Sequence, residues 1–298
     1  MKRKLEVTEL IFKILSYAFL TVFSLCCLYP FIYAISASMS GIKAIESGSV
    51  VLFPKEIQFN AFSDMFNNSV FWNSYTNTLF LTFYGTIWAM GVAILGAYAL
   101  SKKRLLFRKG LNFFLVFTMW FSAGLVPQYR NYISTQKVFE SVGIMDDKWL
   151  IVIAMGMAAM NIILLRNAFE GVPGEIEEAA IVDGATEFQV LTNVYIPMSK
   201  STIATVALLF GISRWNGYFW AKQMITNKNE WPLQVFIRSE LDYYMEPDNL
   251  VGWDSLHNYS SDSVIYALIV CSVIPILIIY PFIQKYFAKG VNVGGVKE

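Results

Sequence analysis

Charged residues are scarce in this sequence. Only 15% of the 298 residues are Asp, Glu, Lys or Arg, whereas 56% are hydrophobic and the mean hydropathy is +0.48. A soluble domain typically has about 25% charged residues. The composition therefore excludes an ordinary soluble domain and indicates a protein that crosses a membrane several times.

Residues that bind metals or perform catalysis are also rare. The single histidine, His257, falls in a connection between apolar runs and is expected to be an ordinary loop residue. No cluster with metal-ligand spacing, no Gly-x-Ser-x-Gly motif and no phosphate-binding loop occurs in the sequence. We therefore expect no active site, metal or cofactor in this chain, and the energy for any uphill transport must come from another polypeptide.

The cysteines and the net charge exclude few further classes of protein. Cys26, Cys27 and Cys271 lie inside apolar runs, where they are expected to act as small hydrophobic residues without a disulfide framework. The net charge of +1 gives no reason to expect a nucleic-acid partner.

Long apolar runs are what the sequence has. A bilayer core about 30 Å thick needs roughly 20 apolar residues of helix. Six runs meet this length, near residues 11–39, 73–100, 110–128, 149–166, 200–221 and 262–285. The first run follows "MKRK" and could be a signal peptide, but it is nearly 30 residues long and is expected to be retained. The sequence predicts an all-α, polytopic membrane protein with six transmembrane helices in one domain, 1–298.

The basic residues predict the orientation of these helices. With a cytoplasmic N-terminus, the inner segments collect Lys2, Arg3, Lys4, then Lys102, Lys103, Arg104, Arg108 and Lys109, and finally Lys285, Lys289 and Lys297. Cytoplasmic connections are enriched in Lys and Arg. Both termini are therefore expected in the cytoplasm, together with residues 167–199 and a C-terminal tail, 286–298.

Ionisable residues are almost absent within the apolar runs, where only Arg214 stands out. An ion-coupled carrier normally needs such groups, or helices broken by Gly and Pro in paired halves. A secondary sugar transporter therefore remains only the alternative interpretation.

One acidic, helix-forming segment, 167–199, interrupts the apolar runs. Pro173 suits the first position of a helix, and the glutamates that follow complement the helix dipole. Gly184 is expected to end this helix, because glycine tolerates a left-handed backbone. A second helix is expected from Glu187 to Tyr195, and Pro197 is expected to open the next membrane helix. The segment is thus predicted to form a helix–turn–helix on the inner face of the membrane.

Within this segment, "EAAIVDGATEFQVLTNVYIP" resembles the EAA loop of permease subunits in binding-protein-dependent ABC importers. The matching positions are Glu178, Ala179, Ala180, Gly184 and Pro197, with Val194 and Ile196 as apolar replacements. The similarity extends over nearly the whole chain, including "SRWNGYFW" and the tail "QKYFAKGVNVGGVKE". It is greatest to carbohydrate-uptake permeases, such as the maltose-type second inner-membrane subunit and the Gram-positive permeases for oligosaccharides and polysaccharide fragments.

This resemblance implies a type I ABC importer permease fold and a set of partners. The expected partners are a second, homologous permease subunit, two copies of an ABC ATPase, an extracellular solute-binding protein and membrane lipid. The expected substrate is a carbohydrate, namely an oligosaccharide. ATP and Mg²⁺ would be used by the ATPase, and the coupling helix would dock into it. The residues expected at that contact are Glu178, Ala179, Ala180, Asp183, Gly184 and Pro197.

Aromatic and polar residues near the end of the fifth run are candidates for the substrate path. They are Arg214, Trp215, Asn216, Tyr218 and Trp220. Sugars stack on aromatic rings and bind amides and hydroxyls, but an aromatic belt at the membrane interface fits equally well. Helical spacing predicts that the five residues cannot all line one cavity. Arg214 either contacts an acidic sugar such as a uronate, extends its charged end towards the membrane surface, or pairs with a neighbouring helix.

The long outer connection, 222–261, is rich in aromatic and acidic residues. It suits either docking of a solute-binding protein or packing against the partner permease. The sequence does not identify the sugar.

Overall fold

The computed structural model describes residues 7–121, 123–143, 147–154, 157–246, 257 and 259–290, with the backbone alone for 282–290. Over these ranges the chain is helical and contains no strand. The basic residues Lys2, Arg3 and Lys4 lie outside the described residues, as do 291–298 of the predicted tail and Asp248, Trp253 and Asp254 of the outer connection.

The described helices follow one another along the chain. They are α1 (Val7–Ser38), α2 (Ile42–Glu46), α3 (Asn60–Asn67), α4 (Ser69–Ser101), α5 (Arg108–Trp120), α6 (Leu125–Ser141), α7 (Asp147–Ala154), α8 (Ala159–Glu170), α9 (Gly174–Val182), α10 (Glu187–Val190), α11 (Ile196–Met198), α12 (Lys200–Trp215), α13 (Phe219–Met224), α14 (Leu233–Met245) and α15 (Ser261–Gly290). A π-helical turn, Leu191–Tyr195, joins α10 to α11, so that 187–198 is one continuous run.

Three helices are individually long and apolar enough to cross a membrane: α1, α4 and the Ser261–Pro281 part of α15. At about 1.5 Å per residue, the 33 residues of α4 extend about 50 Å, more than the bilayer core requires. Because a helix satisfies its own backbone hydrogen bonds, such runs are stable in an apolar environment.

The remaining expected spans are bent or broken. The run expected near 110–128 is divided between α5 and α6, and the chain bends by 113° from one helix to the other. The run expected near 149–166 is divided between α7 and α8, with a bend of 46°. Gly124, with φ +83°, precedes α6, and a left-handed residue cannot continue a right-handed helix. If each bent pair counts as one span, the described chain has up to six.

The fifth expected run, 200–221, also differs from a single helix. It begins at Lys200 as predicted, but α12 ends at Trp215 and α13 begins only at Phe219. The prediction that Pro197 opens this helix is wrong, because Pro197 lies in α11. The chain then turns at Ser199, so that α12 is bent by 87° relative to the run 187–198.

The described chain forms two compact units. The first comprises the described residues up to Phe71 and those from Ile237 to Ile274, and the second the described residues from Trp72 to Phe236 and from Pro275 onward. In the first unit, the Tyr33 and Tyr266 rings meet edge to face at 5.5 Å, and the Tyr259 hydroxyl donates a hydrogen bond to Asp64. The single domain expected over 1–298 stays a prediction.

The main core of the second unit forms where α4, α8 and α12 pack together with the run 187–198. To this core α4 contributes Met90 and the small residues Ala89, Ala93 and Ala97, which let neighbouring helices approach closely. Leu165 and Phe169 of α8 pack against them. This core fixes the acidic segment relative to the end of α4.

Candidate functional site

The acidic segment forms a tight helix–turn–helix between α8 and α12. Gly184, with φ +84°, makes the turn after α9. Thr186 then caps α10, because its hydroxyl accepts from the Gln189 backbone while the Gln189 side chain accepts from the Thr186 backbone at 2.8 Å. The two arms are therefore held in a fixed turn by local contacts.

The outward face of this turn carries most of the residues that the EAA resemblance singles out. Glu178, Ala179, Asp183, Gly184 and Pro197 are exposed. Ala180 differs, because it is half-buried and packs against the core of the second unit. An exposed surface of small and acidic residues can dock a partner closely, whereas Ala180 instead holds α9 against its own chain.

Two large apolar side chains complete this outward face. Val182 is 86% exposed and Phe188 is 69% exposed, one on each side of the turn. Neither residue belongs to the EAA pattern by which the segment was recognised. In the sequence, each could have been recognised as an apolar residue beside a polar turn. Exposed apolar side chains that lie together on a surface often contact another protein or a membrane.

The inward face of the turn is anchored by its carboxylates. Glu177 of α9 pairs with Lys102 at 2.6 Å and accepts a hydrogen bond from Tyr195. Burial raises the pKa of Glu177, but the hydrogen bonds from Lys102 and Tyr195 outweigh it and leave the pKa below its ordinary value. A hydrogen bond from Tyr98 similarly lowers the pKa of Glu187, against a contribution from burial. Both carboxylates are therefore held in the charged form.

Arg214 is half-buried at the end of α12 and binds backbone rather than a carboxylate. Its Nη1 atom donates to the carbonyl of Ile151 at 2.8 Å and its Nη2 atom to that of Val152 at 3.3 Å. These carbonyls belong to the last turn of α7 and have no partner within their own helix. Arg214 thus caps α7, which favours the expected alternative of pairing with a neighbouring helix.

Four of the five substrate-path candidates line one cavity of about 400 Å³. They are Arg214, Asn216, Tyr218 and Trp220. Asn216 and Tyr218 fall in the break between α12 and α13, so the helical spacing used in the sequence analysis does not apply to them. The result is a wall that combines a cation, an amide, a phenol and an indole.

Trp215, the fifth candidate, lies elsewhere. It is 5% exposed, meets the Tyr75 ring edge to face at 6.0 Å and borders a separate apolar cavity of about 500 Å³. The expectation that the five residues would not share a cavity is consistent with this arrangement. Trp215 serves the packing of the second unit.

Part of the outer connection is fixed against the start of α4. The Asn77 amide donates to the carbonyl oxygens of Asn229, at 2.8 Å, and Trp231, and the Lys222 ammonium lies 4.3 Å from the centre of the Trp231 ring. In the first unit, the centres of the His257 and Tyr259 rings lie 5.4 Å apart. Tyr259 is thus a packing partner of His257. Among the described residues, no group of three or more His, Cys, Asp or Glu could hold a metal ion.

Comparison with known proteins identifies relatives over almost the full length. The profile of the family described as binding-protein-dependent transport system inner membrane component matches residues 4–293. The Bacillus subtilis (strain 168) polygalacturonan/rhamnogalacturonan transport system permease protein YtcP is 33% identical, over 96% of this chain and 98% of its own. Protein LplC of the same organism is 32% identical, over 90% and 88% of the two chains.

A solved structure is similar in both sequence and fold. It is a chain of a bacterial ABC transporter involved in the import of the acidic polysaccharide alginate. The two chains are 40% identical with a TM-score of 0.86, over 96% of this chain and all of the other.

Proposed function

This chain belongs to the family of binding-protein-dependent transport system inner membrane components, and we propose that it is a permease subunit of an ATP-driven importer of acidic oligosaccharides. The observation that carries the proposal is the two-sided helix–turn–helix. Its inward face is fixed to this chain, while Glu178, Ala179, Asp183, Gly184 and Val182 face outward. A rigid element with one free face suits the transfer of motion from a separate ATPase.

In the proposed complex, each partner protein has a separate role. Two copies of an ABC ATPase bind ATP and Mg²⁺ and hydrolyse the nucleotide, so this chain has no catalytic residue and no cofactor of its own. A second, homologous permease subunit completes the membrane-spanning pair. An extracellular solute-binding protein delivers the sugar. Both termini and the helix–turn–helix lie on the cytoplasmic side, where the basic residues 102–109 also lie.

The proposed substrate follows from the relatives and from the cavity beside Arg214. Polygalacturonan and alginate are polymers of uronic acids, which carry one carboxylate on each sugar unit. The cavity offers the Asn216 amide, the Tyr218 hydroxyl and the Trp220 indole for sugar contact. Arg214 supplies a fixed positive charge to its wall even though two of its nitrogen atoms bind carbonyls.

The decisive experiment is ATP hydrolysis by the complete complex in nanodiscs. The complex is supplied with its binding protein and with matched oligogalacturonates, alginate oligosaccharides and neutral maltodextrins. We expect hydrolysis to rise with the uronate oligomers. Stimulation by the maltodextrins alone would contradict the acidic substrate.

A second measurement separates the importer from a secondary transporter. Uptake into proteoliposomes should continue when ionophores dissipate the ion gradients and should stop when the ATPase carries a variant that binds but cannot hydrolyse ATP. Uptake that persists without hydrolysis and collapses with the gradient would contradict the proposed function.

A further inference from the structure

A seven-residue stretch at the end of α4, Tyr98–Arg104, holds both arms of the helix–turn–helix. From it, Lys102 binds Glu177 on α9, whereas Tyr98 and Arg104 bind Glu187 on α10. From the sequence, the basic residues of this stretch were expected only to determine the orientation of the helices. Its contacts give it a second role.

The Lys102 ammonium occupies a closed, specific position. It lies 4.2 Å from the centre of the Tyr98 ring and 4.1 Å from the centre of the Tyr195 ring, and 2.6 Å from Glu177 Oε1. The Lys102 side chain is 9% exposed and that of Glu177 18%. An ammonium group withdrawn from water needs such partners, so displacing either helix would leave a poorly compensated charge.

Each carboxylate also uses both of its oxygen atoms. The second oxygen of Glu177 accepts from the Tyr195 hydroxyl, while Glu187 Oε2 accepts from the Tyr98 hydroxyl at 2.8 Å and Oε1 binds Arg104. The Tyr98 and Tyr195 rings meet edge to face at 5.1 Å. Because both arms are bound to residues 98–104 in this way, a shift of either arm relative to the end of α4 lengthens at least one charge-assisted hydrogen bond.

A further ion pair joins the connection after α4 to α8. Arg108 binds Glu170 at the end of α8, and its Nε atom donates to the Leu100 carbonyl at 3.0 Å. The connection after α4 is therefore fixed to the segments on both sides of α9.

We infer that Lys102 is a positioning residue that makes α4 and the helix–turn–helix move as one body. This inference rests on the proposed function, in which the ATPase pushes or pulls the exposed face of the turn. Motion of the turn is then transmitted to α4 through the Lys102–Glu177 contact, besides passing along the chain into α8 and α12. Loss of this contact uncouples hydrolysis from transport while the ATPase remains bound.

The test compares Lys102→Met with Lys102→Arg and Lys103→Met in the complete, reconstituted complex. Lys103 is the matched control, because it is the next residue, is exposed and makes no ion pair within the described part of the chain. The readout is the amount of oligogalacturonate transported per ATP hydrolysed. We expect this ratio to fall at least about fivefold in Lys102→Met. It should stay near that of the wild type in Lys103→Met and recover largely in Lys102→Arg, since a guanidinium keeps both the ion pair and the ring contacts.

Tyr195→Phe supplies a milder variant if Lys102→Met assembles poorly. It removes one hydroxyl from Glu177 and keeps the ring, so a smaller fall in the same ratio is expected. A lower yield of complex with an unchanged ratio in both variants would show that the contact serves folding alone and would overturn the inference.

A second measurement does not depend on sugar transport. Spin labels at positions 103 and 193, both exposed, report the separation of the end of α4 from the π-helical turn, with the native cysteines replaced. In the wild-type complex we expect the same separation with and without ATP, and in Lys102→Met a separation that changes. A separation that changes with ATP in the wild type overturns the inference even if transport is normal. Failure of every sugar to stimulate hydrolysis, with the separation constant, would count against the proposed function instead.

Discussion

At the scale of single residues, Arg214 shows how a charge is accommodated in an apolar region. The last turn of a helix has carbonyl groups without partners in that helix, and in an apolar region such groups need hydrogen bonds from elsewhere. Arg214 donates to those of Ile151 and Val152, and the Trp88 indole donates to that of Ile153 at 3.2 Å. A cation at the negative end of a helix is also favoured by the helix dipole. The same residue lines the cavity of about 400 Å³ and holds the end of α7 in place.

Gly85 of α4 makes this cap possible and provides the first prediction. A Cβ atom at position 85 would lie 3.0 Å from Nε and 3.1 Å from Cδ of Arg214. Gly85→Ala must therefore displace a guanidinium that two carbonyls hold. We expect a loss of about 1–3 kcal/mol in stability, the usual range for overpacking. Thermal unfolding of the detergent-solubilised complex measures this loss.

Gly91→Ala is the control for that substitution, because it lies on the same helix and its Cβ would meet nothing within 4 Å. It should leave the unfolding temperature unchanged or slightly raised, since alanine favours a helix over glycine. Equal effects of the two substitutions would show that the approach of Arg214 to α4 does not matter.

At the scale of elements, the sequence predicted where helices occur better than where they break. Apolar runs located α1, α4 and α15 because length and hydropathy together define such helices. The same runs could not reveal the bend before α6, since a hydropathy pattern counts apolar side chains and contains no backbone angle. Gly124 and Gly217 are visible in the sequence, but a glycine inside an apolar run is often tolerated within a helix.

The packing face of α4 was a signal that the sequence did contain. Gly85, Ala89, Ala93 and Ala97 recur at intervals of four, so they form one ridge of small residues on the helix. The three alanines are buried in the core, and Gly85 meets Arg214. By contrast, the pairing of Lys102 with Glu177 joins residues 75 positions apart and could not be predicted from either segment alone.

The turn at Gly184 provides the second prediction. Its φ of +84° is strained for any residue with a side chain, so Gly184→Ala should destabilise the turn by about 1–2 kcal/mol. Insertion into the membrane should remain normal, whereas ATPase stimulation and transport should both fall, because the exposed face is no longer presented correctly. Co-purification with the ATPase and sugar-stimulated hydrolysis measure the effect.

Gly174→Ala serves as the comparison in the same segment. Gly174 begins α9, its φ is not in the left-handed region, and its Cβ would meet nothing within 4 Å. This variant should hydrolyse ATP and transport sugar like the wild type. Normal coupling in Gly184→Ala would contradict the role proposed for the turn.

At the scale of the whole molecule, the topology depends on the bent helix pairs. Three expected spans, near 110–128, 149–166 and 200–221, separate Lys103 from Lys228. In the structure each of them includes helices of one bent pair. The α5–α6 pair is bent by 113°, so it either crosses the membrane or enters and returns on the same side. Three crossings place the two lysines on opposite sides, whereas two place them on the same side.

The third prediction is that all three pairs cross. Single cysteines are introduced at the exposed positions 103, 137 and 228, after replacement of Cys26, Cys27 and Cys271. A membrane-impermeant maleimide applied to intact cells should label positions 137 and 228 and should label position 103 only after permeabilisation. This pattern follows because the basic stretch around Lys103 favours the cytoplasm and because the prediction counts α5 and α6 together as one crossing. Labelling of position 137 only after permeabilisation would instead identify α5 and α6 as a re-entrant pair. Positions 103 and 228 would then share one side, so the same three variants decide both the number of crossings and the orientation.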